Sequence, residues 1–145
     1  GVCLRESEEA KVAVLSLGAI GYTVIEAIDS LDGRSACSLE DGRLASPVEG
    51  IAHYDMRWLK PMDEQLLHEI GKRFTKIITV EDGVISGGLG SAVLEFMADN
   101  GYTPHVIRLG VNDQFVEHGS TKELYQLLKL DTQGICESLL QALEQ

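Results

Sequence analysis

The sequence predicts an α/β domain with three layers, in which helices cover both faces of a largely parallel β-sheet. Two observations carry this prediction: short apolar runs rich in Val and Ile, and segments with apolar residues at helical spacing between them. Such runs are typical of strands buried on both faces, as in parallel sheets. The length of 145 residues fits one domain with a core of its own.

Four segments are the predicted strands. Three are nearly continuous apolar runs, and the other alternates more and ends in charged residues. In chain order they are residues 12–17, 50–58, 77–80 and 106–109, of which 50–58 is the alternating one. Parallel strands need long crossover connections, so the segments between them should contain helices.

Helical patterns follow the predicted strands, and three of them have a start signal. Asp63, Ser120 and Asp131 can each accept a backbone N–H of a first helical turn. Ser120 also forms a capping box with Glu123, because each side chain can bond the backbone of the other. Two further helices, without such a signal, are predicted at 22–31 and 89–97.

Residues 32–49 interrupt this alternation of strands and helices. They read DGRSACSLE and then DGRLASPVE, two nine-residue units with Asp, Gly, Arg, Ala and Glu at matching positions. Two units are too few for a repeat architecture, which needs at least about three to bury a core. The sequence therefore predicts a local duplication in a surface loop, with a functional loop as the alternative.

The chain is strongly acidic. It has 12 Lys and Arg against 23 Asp and Glu, a formal net charge of −11 at pH 7. Such a surface repels phosphate backbones, so we expect neither nucleic acid nor an anionic membrane as a partner. No apolar run is long enough to cross a bilayer, and the start at Gly1 shows no signal peptide. We expect a cytoplasmic protein, and the missing initial Met indicates a processed start or a piece of a longer chain.

Thiol and imidazole side chains are scattered along the chain. The cysteines form no C-x-x-C pair, which predicts ordinary reduced thiols, and the histidines lack the spacing of metal ligands. These residues are Cys3, Cys37, Cys136, His53, His68, His105 and His118. We interpret His118 as a polar loop residue, with a role in a site as the alternative.

Two glycine clusters follow predicted strands, where α/β proteins bind ligands. The first contains Gly18 and Gly21, but Ile20 stands where a dinucleotide-binding turn needs its central glycine. We interpret these glycines as a tight strand-to-helix turn. The second spans 83–91, and its amides could form an anion nest at a helix N-terminus. No Gly-Lys-Ser/Thr follows it, and close packing of this loop is favoured over phosphate binding.

Arg57 lies at the end of a strand that should be central in the sheet. Its planar guanidinium donates two parallel hydrogen bonds, which suits a phosphate or a carboxylate. A salt bridge to Asp55 or Asp63 would explain the residue equally well, and its chemistry alone leaves both interpretations open. No Ser/His/Asp set, nucleophile elbow or pair of carboxylates is recognisable, so no catalytic residue is predicted.

Five sequence blocks together resemble a known family. In chain order they are VAVLSLG at 12–18, YDMRWLKPMDE at 54–64, TVEDG at 79–83, GGLGSAVLE at 87–95 and EHGS at 117–120. They resemble the C-terminal, transketolase-like domain of the 1-deoxy-D-xylulose-5-phosphate synthase family. The second and fourth blocks also occur in related thiamine-diphosphate enzymes, and the last block narrows the match to the synthases. The resemblance implies a mixed sheet of about five strands and a single domain over residues 1–145, with 32–49 as an added surface loop.

The resemblance also implies what the chain does and lacks. The family condenses pyruvate with glyceraldehyde 3-phosphate, releasing CO₂, and its product feeds isoprenoid, thiamine and pyridoxal synthesis. In the family, thiamine diphosphate and Mg²⁺ are bound by other domains of the parent enzyme. The resemblance therefore implies no catalytic, cofactor-binding or metal-binding residue in this chain. The parent enzyme is a homodimer. Arg57 matches the arginine that holds the substrate phosphate, whereas His118 has no secure role. Trp58 departs from the phenylalanine that the family usually has.

Two alternatives stay open beside this resemblance. One is the matching domain of a transketolase or of a 2-oxo acid dehydrogenase β subunit. The other is a free-standing module that binds an anion or a nucleotide through one of the two glycine clusters.

Overall fold

The predicted three-layer α/β architecture is confirmed. The computed structural model describes residues 1–6, 8–31 and 50–144. The duplicated segment 32–49 and Cys37 lie outside the described residues. The described elements are β1 (Val2–Arg5), β2 (Val12–Leu17), α1 (Ile20–Leu31), β3 (Ile51–Asp55), α2 (Glu64–Arg73), β4 (Lys76–Val84), α3 (Leu89–Asp99), β5 (His105–Val111), α4 (Thr121–Leu127) and α5 (Thr132–Glu144).

The sheet has five strands in the order β1-β3-β2-β4-β5. The four longer strands are parallel, and β1 pairs antiparallel with β3 at the edge. In the central register, Ser16 on β2 lies opposite Asp55 on β3 and opposite Val80 on β4. The sheet is therefore mixed but largely parallel, as predicted. Strand β1 was not among the segments predicted from the residues, because its four residues are mostly exposed.

Two apolar clusters form the core, one on each face of the sheet. Along β2, Val12 and Val14 pack toward α1 and α5, whereas Ala13 and Leu15 pack toward α2 and α3. All four side chains are completely buried. The continuous apolar run of this strand follows from its position, because both of its faces are covered.

The predicted helix start signals are confirmed. Asp63 Oδ1 accepts a hydrogen bond from Leu66 N at 3.0 Å, and Asp131 Oδ1 accepts one from Gly134 N at 3.0 Å. Ser120 N donates to the Glu123 carboxylate at 3.0 Å, and the capping box is complete. No helix in the described part of the chain is long and apolar enough to cross a membrane.

The sheet topology defines where a ligand can lie. The helix after β2 packs on one face of the sheet, and the helix after β4 packs on the opposite face. Adjacent parallel strands whose helices diverge in this way leave a crevice at their carboxyl ends. Both glycine clusters and Arg57 follow strands at this carboxyl edge.

Candidate functional site

A cavity of about 370 Å³ lies at the carboxyl ends of β2 and β3, on the β3 side of the crevice between β2 and β4. Its lining comes from the turn that leaves β2, the start of α1, and the residues at and after the end of β3. The cavity is lined by Gly18, Ala19, Tyr22, Asp55, Arg57 and Trp58. The aromatic side chains of Tyr22 and Trp58 are 75% and 69% exposed, so the cavity is open to solvent.

Arg57 occupies a tight turn directly after β3. Trp58 N donates to Met56 O at 2.6 Å, which closes a three-residue γ-turn with Arg57 at its centre. The φ of Arg57 is 59°, in the left-handed region that favours glycine. A side chain with a Cβ is strained there, and such strain is concentrated at functional sites.

The Asp55 carboxylate holds this turn from one side. Its Oδ1 accepts a hydrogen bond from Arg57 N at 3.0 Å, and its Oδ2 lies 3.5 Å from Arg57 Nε. The Arg57 side chain is still 56% exposed. Asp63, the other acidic residue considered as its partner, instead caps α2. The ion pair with Asp55 therefore forms, and it leaves more than half of the Arg57 side chain exposed at the cavity.

The first glycine cluster makes the tight strand-to-helix turn that was predicted. Gly18 has a φ of 84°, and Gly21 N donates to Gly18 O at 3.1 Å. A Cβ on Gly21 would lie 3.0 Å from Ser16 Oγ, so this helix start approaches β2 closely. Both glycines are explained by backbone geometry.

The second glycine cluster already holds an anion, and that anion comes from the chain itself. The Glu81 carboxylate accepts hydrogen bonds from Leu89 N at 2.8 Å and from Gly90 N at 2.9 Å. Glu81 is only 5% exposed, and it places a negative charge at the N-terminus of α3. A Cβ on Gly88 would overlap this carboxylate and lie 2.7 Å from Val84 O. The close packing favoured from the sequence is confirmed.

Arg108 on β5 fixes the same loop from its other side. Its Nη1 donates to Ile85 O at 3.1 Å and to Ser91 Oγ at 3.3 Å. Ser91 Oγ in turn donates to Ile85 O at 2.8 Å and accepts from Gly87 N at 2.9 Å. Neither Glu81 nor Arg108 is predicted by the sequence pattern, because neither lies inside the glycine cluster that it supports.

A buried polar pair joins the adjacent strands β2 and β3. Ser16 Oγ and His53 Nε2 are 2.8 Å apart, and both side chains are almost completely buried. Burial lowers the pKa of His53 from its ordinary 6.5 to about 4, although the Asp55 carboxylate opposes this shift. The pair is neutral at pH 7 and satisfies two polar groups inside the sheet. His118 lies exposed in the loop before α4, as predicted.

The described residues do not fit thiamine diphosphate and Mg²⁺. Within 1–6, 8–31 and 50–144, no group of three or more His, Cys, Asp or Glu side chains is placed to hold a metal ion. The amides that could have received a diphosphate, those of Leu89 and Gly90, already donate to Glu81. Of the described thiols, Cys136 is buried and Cys3 is exposed.

Comparison with known proteins places the chain among transketolase-type domains. A family model described as the transketolase C-terminal domain matches residues 1–135. A 1-deoxy-D-xylulose-5-phosphate synthase of Parabacteroides distasonis is 55% identical over 139 residues, covering 96% of this chain and 20% of the relative. The synthase of Phocaeicola vulgatus is 50% identical over 137 residues, covering 94% of this chain and 20% of the relative. The chain thus spans about one fifth of the length of these relatives.

Solved structures agree with this placement. A split-gene transketolase, titled an inactive β4 tetramer, superposes with a TM-score of 0.77 at 28% identity, covering 99% of this chain and 42% of that one. The transketolase of Campylobacter jejuni superposes with a TM-score of 0.59 at 17% identity, covering 96% of this chain and 18% of that one. The second similarity concerns the fold alone.

Proposed function

The chain belongs to the transketolase C-terminal domain family, and from this premise we propose that it is the third domain of a 1-deoxy-D-xylulose-5-phosphate synthase. The identity of 50% or more to two synthases over nearly the whole chain supports this proposal. The complete protein would be a cytoplasmic transferase that condenses pyruvate with glyceraldehyde 3-phosphate and releases CO₂. Residues 1–145 would act as one domain, and the rest of the relatives' length would correspond to domains absent from this chain.

The proposed role of this domain is to bind the phosphate of glyceraldehyde 3-phosphate through Arg57. The observation that carries this role is the exposed guanidinium of Arg57, presented on a strained turn into a cavity at the carboxyl edge. A cation presented in this way in a chain with a net charge of −11 suits an anionic substrate group. The same domain would contribute surface to a homodimer of the complete enzyme.

The cofactor chemistry is proposed to lie in the other domains. Bound by those other domains, thiamine diphosphate would supply the carbanion chemistry of the reaction, and Mg²⁺ would help to bind its diphosphate. The amides of Leu89 and Gly90 support this division of labour, because they already donate to Glu81 and are not free to bind a diphosphate. No catalytic or cofactor-binding residue is therefore assigned to this chain.

Steady-state kinetics of Arg57→Ala in the full-length enzyme test the role of Arg57. We expect the KM for glyceraldehyde 3-phosphate to rise roughly 10- to 100-fold, because a charged hydrogen-bonding partner of the phosphate is lost. The KM of Arg57→Lys should lie between those of wild type and Arg57→Ala, since lysine keeps the charge but lacks the planar guanidinium. Lys72→Ala, which removes an exposed cation at the end of α2, is the matched control. An unchanged KM in Arg57→Ala would contradict the proposal.

One alternative has an observation in its favour. The similarity to the split-gene transketolase suits the corresponding domain of a transketolase, which would use a different acceptor. A free-standing anion-binding module is less well supported, since the glycine-loop amides are occupied by Glu81. The sequence upstream of Gly1 in the source genome separates these possibilities, because each predicts different preceding domains.

A further inference from the structure

The turn that carries Arg57 needs a partner to hold it. A φ of 59° at a residue with a long side chain is disfavoured, and γ-turns with positive φ are rare and strained. The backbone on the β2 side is fixed, because Met56 N donates to Ser16 O at 2.9 Å. The following N–H, that of Arg57 itself, donates to the Asp55 side chain.

One carboxylate therefore controls both the backbone and the side chain of Arg57. Asp55 Oδ1 holds the amide at 3.0 Å, and Asp55 Oδ2 lies 3.5 Å from Nε. The contact of Asp55 with the guanidinium is made at Nε and not through a hydrogen bond to the two terminal nitrogens. Among the described residues, these terminal nitrogens have no hydrogen-bond partner, so both terminal NH₂ groups are available to an anion.

The ion pair itself has little value for the stability of the fold. The side chains are 56% and 28% exposed, and pairs at such positions contribute little because water screens them. The carboxylate also lowers the positive charge that an incoming phosphate meets. The ion pair instead orients the Arg57 side chain. A guanidinium that is preorganised in this way loses less conformational freedom when it binds a ligand.

We propose that Asp55 is a positioning residue, which orients Arg57 for the substrate phosphate by holding its γ-turn and its Nε. This inference rests on the proposed function of Arg57, because it assigns Asp55 a role only through that side chain. In this proposal Asp55 acts through Arg57 and not through a contact of its own with the substrate. It shapes the binding step and leaves the chemical step unchanged.

A double-mutant cycle in the full-length enzyme tests this role. The variants are Asp55→Ala, Asp55→Asn, Arg57→Ala and the pair Asp55→Ala with Arg57→Ala. We expect Asp55→Ala to raise the KM for glyceraldehyde 3-phosphate about five- to tenfold, with kcat and the KM for pyruvate unchanged. Asp55→Asn should raise it about two- to threefold, because the amide oxygen still accepts from Arg57 N. In the Arg57→Ala background, Asp55→Ala should add nothing, since the two residues act as one unit.

A nearby acidic residue that does not touch Arg57 provides the control. Asp63→Ala removes the cap of α2 nearby and should lower thermal stability without changing the KM. If Arg57→Ala raises the KM and neither Asp55 variant does, the positioning role is overturned and the proposed function stands. An equal Asp55→Ala effect in the Arg57→Ala background, or a parallel loss of kcat, overturns it as well. If Arg57→Ala leaves the KM unchanged, the proposed function fails, and the role of Asp55 fails with it.

Discussion

Two turns at the carboxyl ends of the strands present hydrogen-bond donors. The donors of one turn are satisfied by a buried group of the chain itself, whereas those of the other stay largely exposed. In the loop before α3, a buried carboxylate of the chain itself accepts from the backbone amides of Leu89 and Gly90. At the turn after β3, the Arg57 guanidinium has only the one exposed contact with Asp55 among the described residues. The comparison shows that a glycine-rich loop is a poor sign of an anion site when an acidic residue of the preceding strand can enter it. Donors left without an internal partner are the better sign.

Removal of the internal anion should produce the largest change in stability. Glu81→Ala leaves two buried amides without an acceptor, and we expect a loss of about 4 kcal/mol in the free energy of unfolding. Urea denaturation of the chain measures this loss. Glu95→Ala removes an exposed glutamate of α3 and should change the stability by less than about 0.5 kcal/mol. A loss no larger than that of the control would contradict the structural role of Glu81.

The buried His53, whose ring is bonded to Ser16 inside the sheet, should make the free energy of unfolding depend on pH. His53 has a pKa of about 4 in the folded chain and an ordinary pKa of 6.5 when unfolded, so below pH 6.5 the unfolded chain binds the additional proton. The free energy of unfolding is therefore not reduced by His53 above pH 6.5. It falls as the pH decreases from 6.5 toward 4, by about 3 kcal/mol in total.

The difference between wild type and His53→Gln isolates this effect. Because glutamine does not titrate, the variant should lose less stability than wild type between pH 6.5 and 4 in urea titrations. His105→Gln, at an exposed position, is the matched control for the exchange of a histidine for glutamine. Identical slopes for wild type and His53→Gln would show that His53 is not held neutral by burial.

The smallest expected effect concerns the strain at the open turn. At a φ of 59°, glycine avoids the Cβ contact that alanine suffers, so Arg57→Gly should be more stable than Arg57→Ala by about 1 kcal/mol. Both variants lack the guanidinium, and urea denaturation of this pair therefore measures the backbone term. Arg57→Gly that is less stable than Arg57→Ala would mean that the turn is not strained.

Local signals explain what the sequence could predict. The helix caps at Asp63, Ser120 and Asp131 depend on atoms three residues apart, and all three were predicted. The central strands were recognised because both faces of each are buried. Their ends were less accurate: β3 stops at Asp55, where the Arg57 turn begins, and β4 continues to Val84 through polar residues.

The features that sequence could not predict depend on separate parts of the fold. Strand β1 is a short exposed edge strand, which leaves little apolar pattern. Glu81 reaches the α3 amides across eight and nine residues, and Arg108 reaches the same loop from β5. The ion pair of Arg57 was one of two interpretations left open, and only the geometry shows that it forms while most of the side chain stays exposed. The assignment of Arg57 to a phosphate remains a prediction.

The most direct test of Arg57 compares two acceptor substrates that differ only in the phosphate. In the full-length enzyme, kcat/KM is measured for glyceraldehyde 3-phosphate and for glyceraldehyde, with wild type and with Arg57→Ala. We expect the variant to lose roughly 10- to 100-fold in kcat/KM toward the phosphorylated acceptor and less than about twofold toward glyceraldehyde. An equal loss toward both acceptors, or no loss toward either, would contradict the assignment of Arg57 to the substrate phosphate.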